Sequence, residues 1–234
     1  MTPKIDEETK TLNMTRENHT LLGVIEKKVL IYLASKQPAW MTPNILTFIG
    51  FMGAVIVLVG YWLSSFNANF LWLASFGWFT NWYGDSLDGS LARYRKIEKP
   101  QFGFYIDHNC DSISVFVIGI GFGLSPYVRF DVAMLMVIAY LLMSIQTYVL
   151  TCSTGVFRIS YAKLGATEFR LLIILLNVVL YFVKFPPLNI VGLELSIIDM
   201  MILVPFFIMI FLYVMTILTN GSKMYREENE RLKR

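Results

Sequence analysis

The sequence predicts an all-α integral membrane protein, a bundle of six transmembrane helices preceded by an amphipathic helix at the membrane interface. Composition gives two of the observations: 56% of the 234 residues are hydrophobic and only 16% are charged, against roughly 25% charged residues in soluble domains. The third is a series of apolar runs, each close to the ~20 residues that cross a bilayer core. Together they exclude an ordinary soluble domain.

The N-terminal part of the chain contains two regions that are not predicted to span. Residues 1–20 are polar and lack the apolar stretch of a signal peptide, which predicts a disordered tail. Residues 21–36 combine an apolar stripe with Glu26 and three lysines. Because this segment is too short and too charged to span, it is predicted to lie on the membrane surface.

Residues 40–220 form the predicted membrane domain, and residues 221–234 form a basic cytoplasmic tail. The predicted spans are residues 44–64, 69–92, 103–124, 130–152, 168–184 and 196–219. Prolines, which break helices, lie at span ends, at Pro43, Pro126, Pro186 and Pro187. Cys110 and Cys152 match no disulfide or zinc pattern, so we expect two buried free thiols.

The distribution of lysine and arginine predicts the orientation of the spans. Basic residues concentrate in the loops after the second and fourth spans and at both termini. The opposite loops are nearly free of them, with Arg129 as the exception. Both termini, and the loop between the second and third spans, are therefore predicted to be cytoplasmic.

Four aspartates stand out in the stretch 85–111, DSLDGSLARYRKIEKPQFGFYIDHNCD. Asp85 and Asp88 share one helix face at spacing i, i+3, and Asp107 and Asp111 share a face of the next span at i, i+4. Both pairs lie near the predicted cytoplasmic ends of their spans. The two helix faces therefore meet if these spans are antiparallel neighbours.

The chemistry that suits such a cluster is metal binding. Ionised carboxylates repel one another strongly in a poor dielectric, and divalent cations relieve that repulsion. Ligands that are all oxygen favour Mg²⁺ or Mn²⁺, and a carboxylate-held metal pair is the usual apparatus for displacement at phosphorus. The competing interpretation is that the aspartates cap helices or pair with nearby basic residues.

The pattern Asp85-x-x-Asp88-Gly89-x-x-Ala92-Arg93, followed by Gly103-x-x-x-Asp107-x-x-x-Asp111, resembles the signature of the CDP-alcohol phosphotransferase family. The resemblance covers about residues 40–220, which would then be the catalytic domain. It implies transfer of a phospho-alcohol from a CDP-linked donor to a second alcohol, with release of CMP, by a homodimer. It also implies roles for particular residues: two divalent metals on Asp85, Asp88, Asp107 and Asp111, and the cytidine nucleotide among Gly89, Ala92, Arg93 and Gly103.

Three segments resemble the choline/ethanolamine phosphotransferase branch of that family. They are WMTPN at 40–44, DHNCD at 107–111 and GATE at 165–168. Asn109 stands where that branch has glycine, and Arg170 stands where glutamine is common. The resemblance implies CDP-ethanolamine or CDP-choline as donor and a diacylglycerol-like lipid hydroxyl as acceptor, in phospholipid synthesis.

The identity of the general base stays open at this point. The family resemblance assigns it to Asp111, but a bound cation lowers the basicity of a carboxylate. His108 with Glu168 is the alternative, since a neutral imidazole accepts protons near pH 7. The structural interpretations are a hydrogen bond from His108 to an aspartate and a helix N-terminal role for Glu168.

Three further alternatives remain. A CDP-diacylglycerol-dependent enzyme using inositol phosphate or glycerol phosphate would need extra basic residues, for which Arg158, Lys163 and Arg170 are available. An ion-coupled transporter would also carry intramembrane acids. Finally, Trp40, Trp78, Trp82 and Tyr83 would either cage a quaternary amine or anchor the chain at the interface.

Overall fold

The computed structural model describes residues 22–154, 165–183, 185–186, 188–190 and 193–233. Within these residues the chain forms seven helices and one antiparallel hairpin. The helices are α1 (Gly23–Lys36), α2 (Pro43–Ser64), α3 (Phe70–Arg95), α4 (Pro100–Leu124), α5 (Phe130–Thr154), α6 (Ala166–Phe182) and α7 (Ile197–Leu232). The hairpin pairs β1 (Leu188–Ile190) with β2 (Leu193–Leu195). The all-α prediction is confirmed, apart from this hairpin.

Helix starts follow local sequence signals. Thr42 caps α2 by accepting a hydrogen bond from the Ile45 backbone N–H at 3.3 Å, and Pro43 takes the first helical position, where its missing N–H costs nothing. Pro100 does the same for α4. Helix α3 ends at Lys96, which adopts the left-handed conformation (φ 56°). A short connection then leads from Lys96 to the start of α4 at Pro100.

Helices α2 and α3 form the centre of the fold because glycines let their backbones touch. A Cβ atom on Gly84 would lie 2.2 Å from the backbone nitrogen of Gly50. One on Gly53 would lie 2.3 Å from the nitrogen of Asn81. Small residues drive helix association in membranes through this kind of close approach. The contact fixes the rotation of α3, and with it the direction of the Asp85 side chain.

The remaining helices pack around this pair. Helix α2 also packs on α4, which packs on α5, and α5 packs on α7; α6 and α1 both pack on α3. Helix α2 therefore contacts both helices that carry the aspartates. One apolar cluster includes Val57, Trp78, Ile118 and Leu180, and a second joins α1 to α2 and α3 through Leu30 and Leu46.

A buried polar network attaches α6 to the central pair. The Tyr61 hydroxyl donates to Asn177 Oδ1 at 2.8 Å, and Asn177 Nδ2 donates to the Ser75 hydroxyl at 3.1 Å. Trp78 Nε1 donates to the Tyr61 hydroxyl at 3.3 Å. Tyr61 and Asn177 are almost completely buried. Paired polar groups in an apolar interior specify one helix register, because any slip would leave them unsatisfied.

Among the described residues, α2, α5 and α7 are long and apolar enough to cross a membrane. The other predicted spans correspond to α3, α4 and α6, for which crossing stays a prediction. Most predicted bounds lie within three residues of the helix ends. The exception is α7, which is 36 residues long and continues through most of the predicted C-terminal tail. The predicted N-terminal tail, residues 1–20, lies wholly outside the described residues.

Candidate active site

Three aspartates converge between α3 and α4. Each of Asp85, Asp107 and Asp111 offers a carboxylate oxygen, and these oxygens lie within 4.8 Å of one another. All three side chains are half-buried. The predicted meeting of the two helix faces is therefore observed for three of the four residues. Carboxylate oxygens this close could hold a divalent cation, which would relieve the repulsion among the three anions.

The fourth aspartate, Asp88, has different partners. Its Oδ2 accepts a hydrogen bond from the Thr47 hydroxyl at 2.6 Å, and its Oδ1 accepts one from the Gly89 backbone N–H. Thr47 lies on α2, so this hydrogen bond links α3 to α2. Asp88 lies one turn from Asp85 on α3, as the spacing predicted.

A basic residue from α6 also reaches the cluster. Arg170 Nη2 donates to Asp85 Oδ2 at 2.7 Å, and both side chains are largely buried. Sequence reasoning considered Arg170 only as a basic residue for a phosphate-bearing acceptor. Of the other two residues considered for that role, Arg158 and Lys163, the structure makes no statement, since they lie outside the described residues.

An open pocket lies between the helices, and α2 forms one of its walls. Its lining comes from three helices: Thr47, Gly50, Phe51, Asn81, Asp85, Asp107, Cys110, Asp111 and Ser114. Asn81 donates to the Gly50 carbonyl at 2.9 Å, which fixes this wall. Cys110 and Cys152 are both free thiols, but the expectation that they are buried is wrong, since Cys110 is half-buried and Cys152, in the last turn of α5, is exposed.

The glycines of the predicted nucleotide site differ from those of the α2–α3 contact. A Cβ atom on Gly103 would meet nothing within 4 Å. On Gly89 it would meet only the far end of the Arg93 side chain, at 3.3 Å. Neither glycine is needed for helix packing among the described residues, so the open space beside them is available to a ligand. Arg93 is exposed and donates to the Ser90 hydroxyl at 3.2 Å, and Ala92 is half-buried one residue before it.

His108 points its ring toward aromatic residues of α4 and α5. The ring stacks on Phe104 with centroids 4.1 Å apart and lies 5.6 Å from the Tyr148 ring. Its Nδ1 lies 3.6 Å from Asp107 Oδ2. This position is close to the aspartate cluster, but 3.6 Å is longer than a hydrogen bond.

Glu168 is buried at the start of α6, and backbone amides engage both of its carboxylate oxygens. Oε1 accepts from the Leu22 N–H at 2.9 Å, and Oε2 accepts from the Gly165 N–H at 3.0 Å. The contacts are those of an N-terminal helix acid, and they also hold the start of α1. The neighbouring Thr167 hydroxyl donates to Glu26. The geometry supports the structural interpretation of Glu168.

The four aromatic residues considered for an amine cage have separate surroundings. Trp78 is buried in the core, and Trp40 is 67% exposed. Trp82 Nε1 donates to Glu26 Oε1 at 3.2 Å, and the Tyr83 hydroxyl accepts from Gln37 at 2.7 Å. The arrangement favours anchoring and packing over a shared cage.

Sequence reasoning missed Thr47 and Asn81 as site residues. Both are polar side chains on apolar helices, at the same depth as an aspartate on a neighbouring helix. Polar residues within membrane spans are functional candidates by default, so the positions of Thr47 and Asn81 in apolar helices could have indicated them. The Thr47–Asp88 and Arg170–Asp85 contacts could not be predicted from the sequence, because they depend on which helices are neighbours.

The fold and the site together define a helical membrane protein with an acidic centre between two of its helices. The family model described as CDP-alcohol phosphatidyltransferase matches residues 40–219, and the chain belongs to that family. Cholinephosphotransferase 1 of Xenopus laevis is 31% identical to it over 108 residues. This match covers 42% of the chain and 27% of the relative, so it spans about a quarter of that protein's length.

Proposed function

We propose that the protein transfers a phospho-alcohol head group from CDP-ethanolamine or CDP-choline to a diacylglycerol-like lipid hydroxyl and releases CMP. The observation that carries the proposal is the convergence of Asp85, Asp107 and Asp111 beside an open pocket, within the family's motif. The similarity to a cholinephosphotransferase supports this choice of donor.

Asp85, Asp107 and Asp111 would hold the divalent cations, with Asp88 as the fourth ligand of a two-metal site. The donor set is all oxygen and suits Mg²⁺ or Mn²⁺. When bound, such ions neutralise charge on the phosphate oxygens of the donor. Thr47 would keep Asp88 at the right rotation through the hydrogen bond that it donates.

The nucleotide would lie beside Gly89, Ala92, Arg93 and Gly103. The missing side chains of Gly89 and Gly103 leave room for it. Arg93 is exposed and would bind a phosphate oxygen through its planar guanidinium. The basic residues of this loop would attract the anionic donor from water.

In the reaction, the lipid hydroxyl oxygen attacks the β-phosphorus of the donor, and the bond from that phosphorus to the bridging oxygen breaks. CMP leaves with the bridging oxygen, and the hydroxyl proton passes to a base. We assign that base to Asp111, because Glu168 already has both oxygens engaged by backbone amides and His108 is stacked on Phe104.

The membrane arrangement is part of the proposal. All of α2 to α7 would cross the bilayer, with both termini and the active site on the cytoplasmic side. Helix α1 would lie on the membrane surface, because it exposes Val24, Ile25 and Tyr32 together with Lys27 and Lys28. The lipid acceptor would enter laterally between helices, and two chains would form a homodimer, as the family resemblance implies.

A second candidate is a CDP-diacylglycerol-dependent transferase that uses inositol phosphate or glycerol phosphate. One observation favours it: Arg170 is a largely buried cation beside the aspartates, where the cholinephosphotransferase branch commonly has glutamine. An ion-coupled transporter, in contrast, gains no support from membership of this family.

The test is a donor comparison with purified protein. We expect CMP and lipid product from CDP-ethanolamine or CDP-choline with diacylglycerol, at rates well above those from CDP-diacylglycerol with glycerol phosphate or inositol phosphate. If product forms with CDP-diacylglycerol as donor and with neither CDP-ethanolamine nor CDP-choline, the assignment is rejected and the second candidate is favoured. The Asp107→Asn variant gives the background rate for every pair.

A further inference from the structure

Arg170 is a buried cation with one half of its guanidinium unused. Nη2 donates to Asp85 at 2.7 Å, and only 11% of the side chain is exposed. Nη1 is buried as well, and no hydrogen-bond acceptor contacts it among the described residues. An unsatisfied buried donor is costly, and more so when it is charged. The unpaired Nη1 of Arg170 therefore indicates that a ligand supplies the hydrogen-bond acceptor.

The charge of the site indicates what kind of ligand. Four aspartates carry the negative charge, and two divalent cations would balance it. With Arg170 added, the loaded site has excess positive charge, which an anionic ligand would compensate. Arginine is well suited to phosphate, because its fixed fork binds two oxygens at once.

We propose that Arg170 binds the donor's diphosphate, with Nη1 donating to an oxygen of the phosphoryl group that is transferred while Nη2 holds Asp85. The proposal rests on the proposed function, since it assumes a CDP-linked donor. Arg170 takes no proton and forms no covalent bond. It orients the phosphorus for attack and stabilises the charge that builds on its oxygens.

The level at which Arg170, on α6, contacts α3 favours the β-phosphate over the phosphate next to cytidine. The proposed nucleotide site lies around Gly89 and Arg93, toward the end of α3. Asp85, to which Arg170 is bound, lies about 12 Å before Arg93 along the helix axis, at about 1.5 Å per residue. A nucleotide diphosphate laid along α3 would place its β-phosphate, not its base, beside Arg170.

The experiment measures binding without turnover. CDP, CMP and glycerol phosphate are each titrated calorimetrically into the purified Mg²⁺-loaded full chain, as wild type, Arg170→Gln and Arg170→Lys. Arg129→Gln is the control, because Arg129 is also an arginine ion-paired to an aspartate, Asp131, and it lies between the end of α4 and the start of α5. Thermal unfolding of each variant checks that it is folded, and Arg170→Lys keeps the charge beside Asp85 if the glutamine variant is unstable.

We expect Arg170→Gln to weaken CDP binding at least about tenfold, the loss for one charge-assisted hydrogen bond. CMP binding should change much less, Arg170→Lys should fall between, and Arg129→Gln should match wild type. Equal losses for CDP and CMP, or no loss for CDP, would overturn the proposal. So would a selective loss of glycerol phosphate binding, which assigns the arginine to an acceptor.

The outcome separates this proposal from the proposed function. CDP is common to CDP-ethanolamine, CDP-choline and CDP-diacylglycerol, so a wrong head group leaves the expected result unchanged. If wild type binds neither CDP nor CMP, both proposals are rejected. If it binds both, and the two nucleotides respond alike to Arg170→Gln, only the arginine's role is rejected.

Discussion

At the scale of single residues, each aspartate has its own surroundings. Asp85 is paired with Arg170, Asp88 is held by Thr47, and Asp107 and Asp111 face the pocket. The four carboxylates therefore make different contacts, and we expect them to have different roles. Substitutions that remove the charge but keep the shape test these assignments best, since aspartate and asparagine are nearly equal in size.

Asp107→Asn should abolish turnover, because it removes an anionic ligand of the proposed metal site that no neighbour replaces. A metal-assisted displacement depends on several kcal/mol of charge stabilisation, so we expect a loss of at least about a hundredfold in rate. CMP release measures it. Asp131→Asn, an exposed substitution beside Arg129, is the control and should retain wild-type turnover. Retention of activity in Asp107→Asn would argue against the metal site.

Gly103→Ala should raise the KM for the CDP donor without destabilising the fold. The added methyl meets nothing within 4 Å in the protein, so only a bound nucleotide would collide with it. Gly221→Ala is the matched control, since this helical glycine is equally open. Steady-state kinetics and thermal unfolding of both variants are compared. An unchanged KM in Gly103→Ala would remove that glycine from the nucleotide site.

At the scale of helices, the site depends on the close contact of α2 with α3. Gly50, Gly53 and Gly84 bring the two backbones together, and Thr47 then reaches Asp88. Helix α6 brings Arg170 to Asp85, and the Asn177 network fixes its register two turns further along. Apart from Arg170, the residues that position the aspartates take no part in the chemistry.

Gly84→Ala should therefore destabilise the protein although it lies outside the aspartate cluster. Its Cβ would lie 2.2 Å from the Gly50 nitrogen, and the helices would have to move apart. Overpacking costs about 1–3 kcal/mol, so we expect a lower midpoint of thermal unfolding and reduced activity. Gly221→Ala again serves for comparison. Wild-type stability in Gly84→Ala would mean that α2 and α3 are not in backbone contact.

The sequence predicted the positions of the helices better than the contacts between them. Apolar runs and prolines placed the ends of α2 and α5 within a few residues, and the i, i+3 and i, i+4 spacings predicted the convergence of Asp85 with Asp107 and Asp111. The ion pair of Arg170 was beyond reach, because it joins residues 85 positions apart. The extent of α7 was missed because hydropathy ends with the apolar run, while helix-forming charged residues continue it to Leu232.

At the scale of the whole molecule, the proposed topology places all chemistry at one face. Arg129, the basic exception on the opposite side, forms an ion pair with Asp131 at 2.7 Å. The pair neutralises the charge, which agrees with its position in a loop that would otherwise be free of basic residues. Helix α7 is about 54 Å long at about 1.5 Å per residue, so it would extend beyond a hydrocarbon core of ~30 Å.

Cysteine labelling tests this topology. We replace both native cysteines with alanine and introduce Asn67→Cys, between α2 and α3, or Ser222→Cys, near the end of α7. A membrane-impermeant maleimide added to intact cells should label the first, while the second should react only after the membrane is opened. The reverse pattern would invert the proposed orientation, and labelling of both sites from outside would contradict the odd number of crossings, α3 to α7, proposed between them.

The central claim is that a divalent-metal site built on these aspartates transfers a head group to a lipid. The most direct measurement is CMP release by the purified protein in diacylglycerol-containing liposomes with no ion gradient, given CDP-ethanolamine or CDP-choline. We predict release with Mg²⁺ or Mn²⁺, none with EDTA, recovery when the metal is restored, and none with Asp107→Asn. Release that continues undiminished in EDTA, or that is equal in Asp107→Asn, would contradict the account.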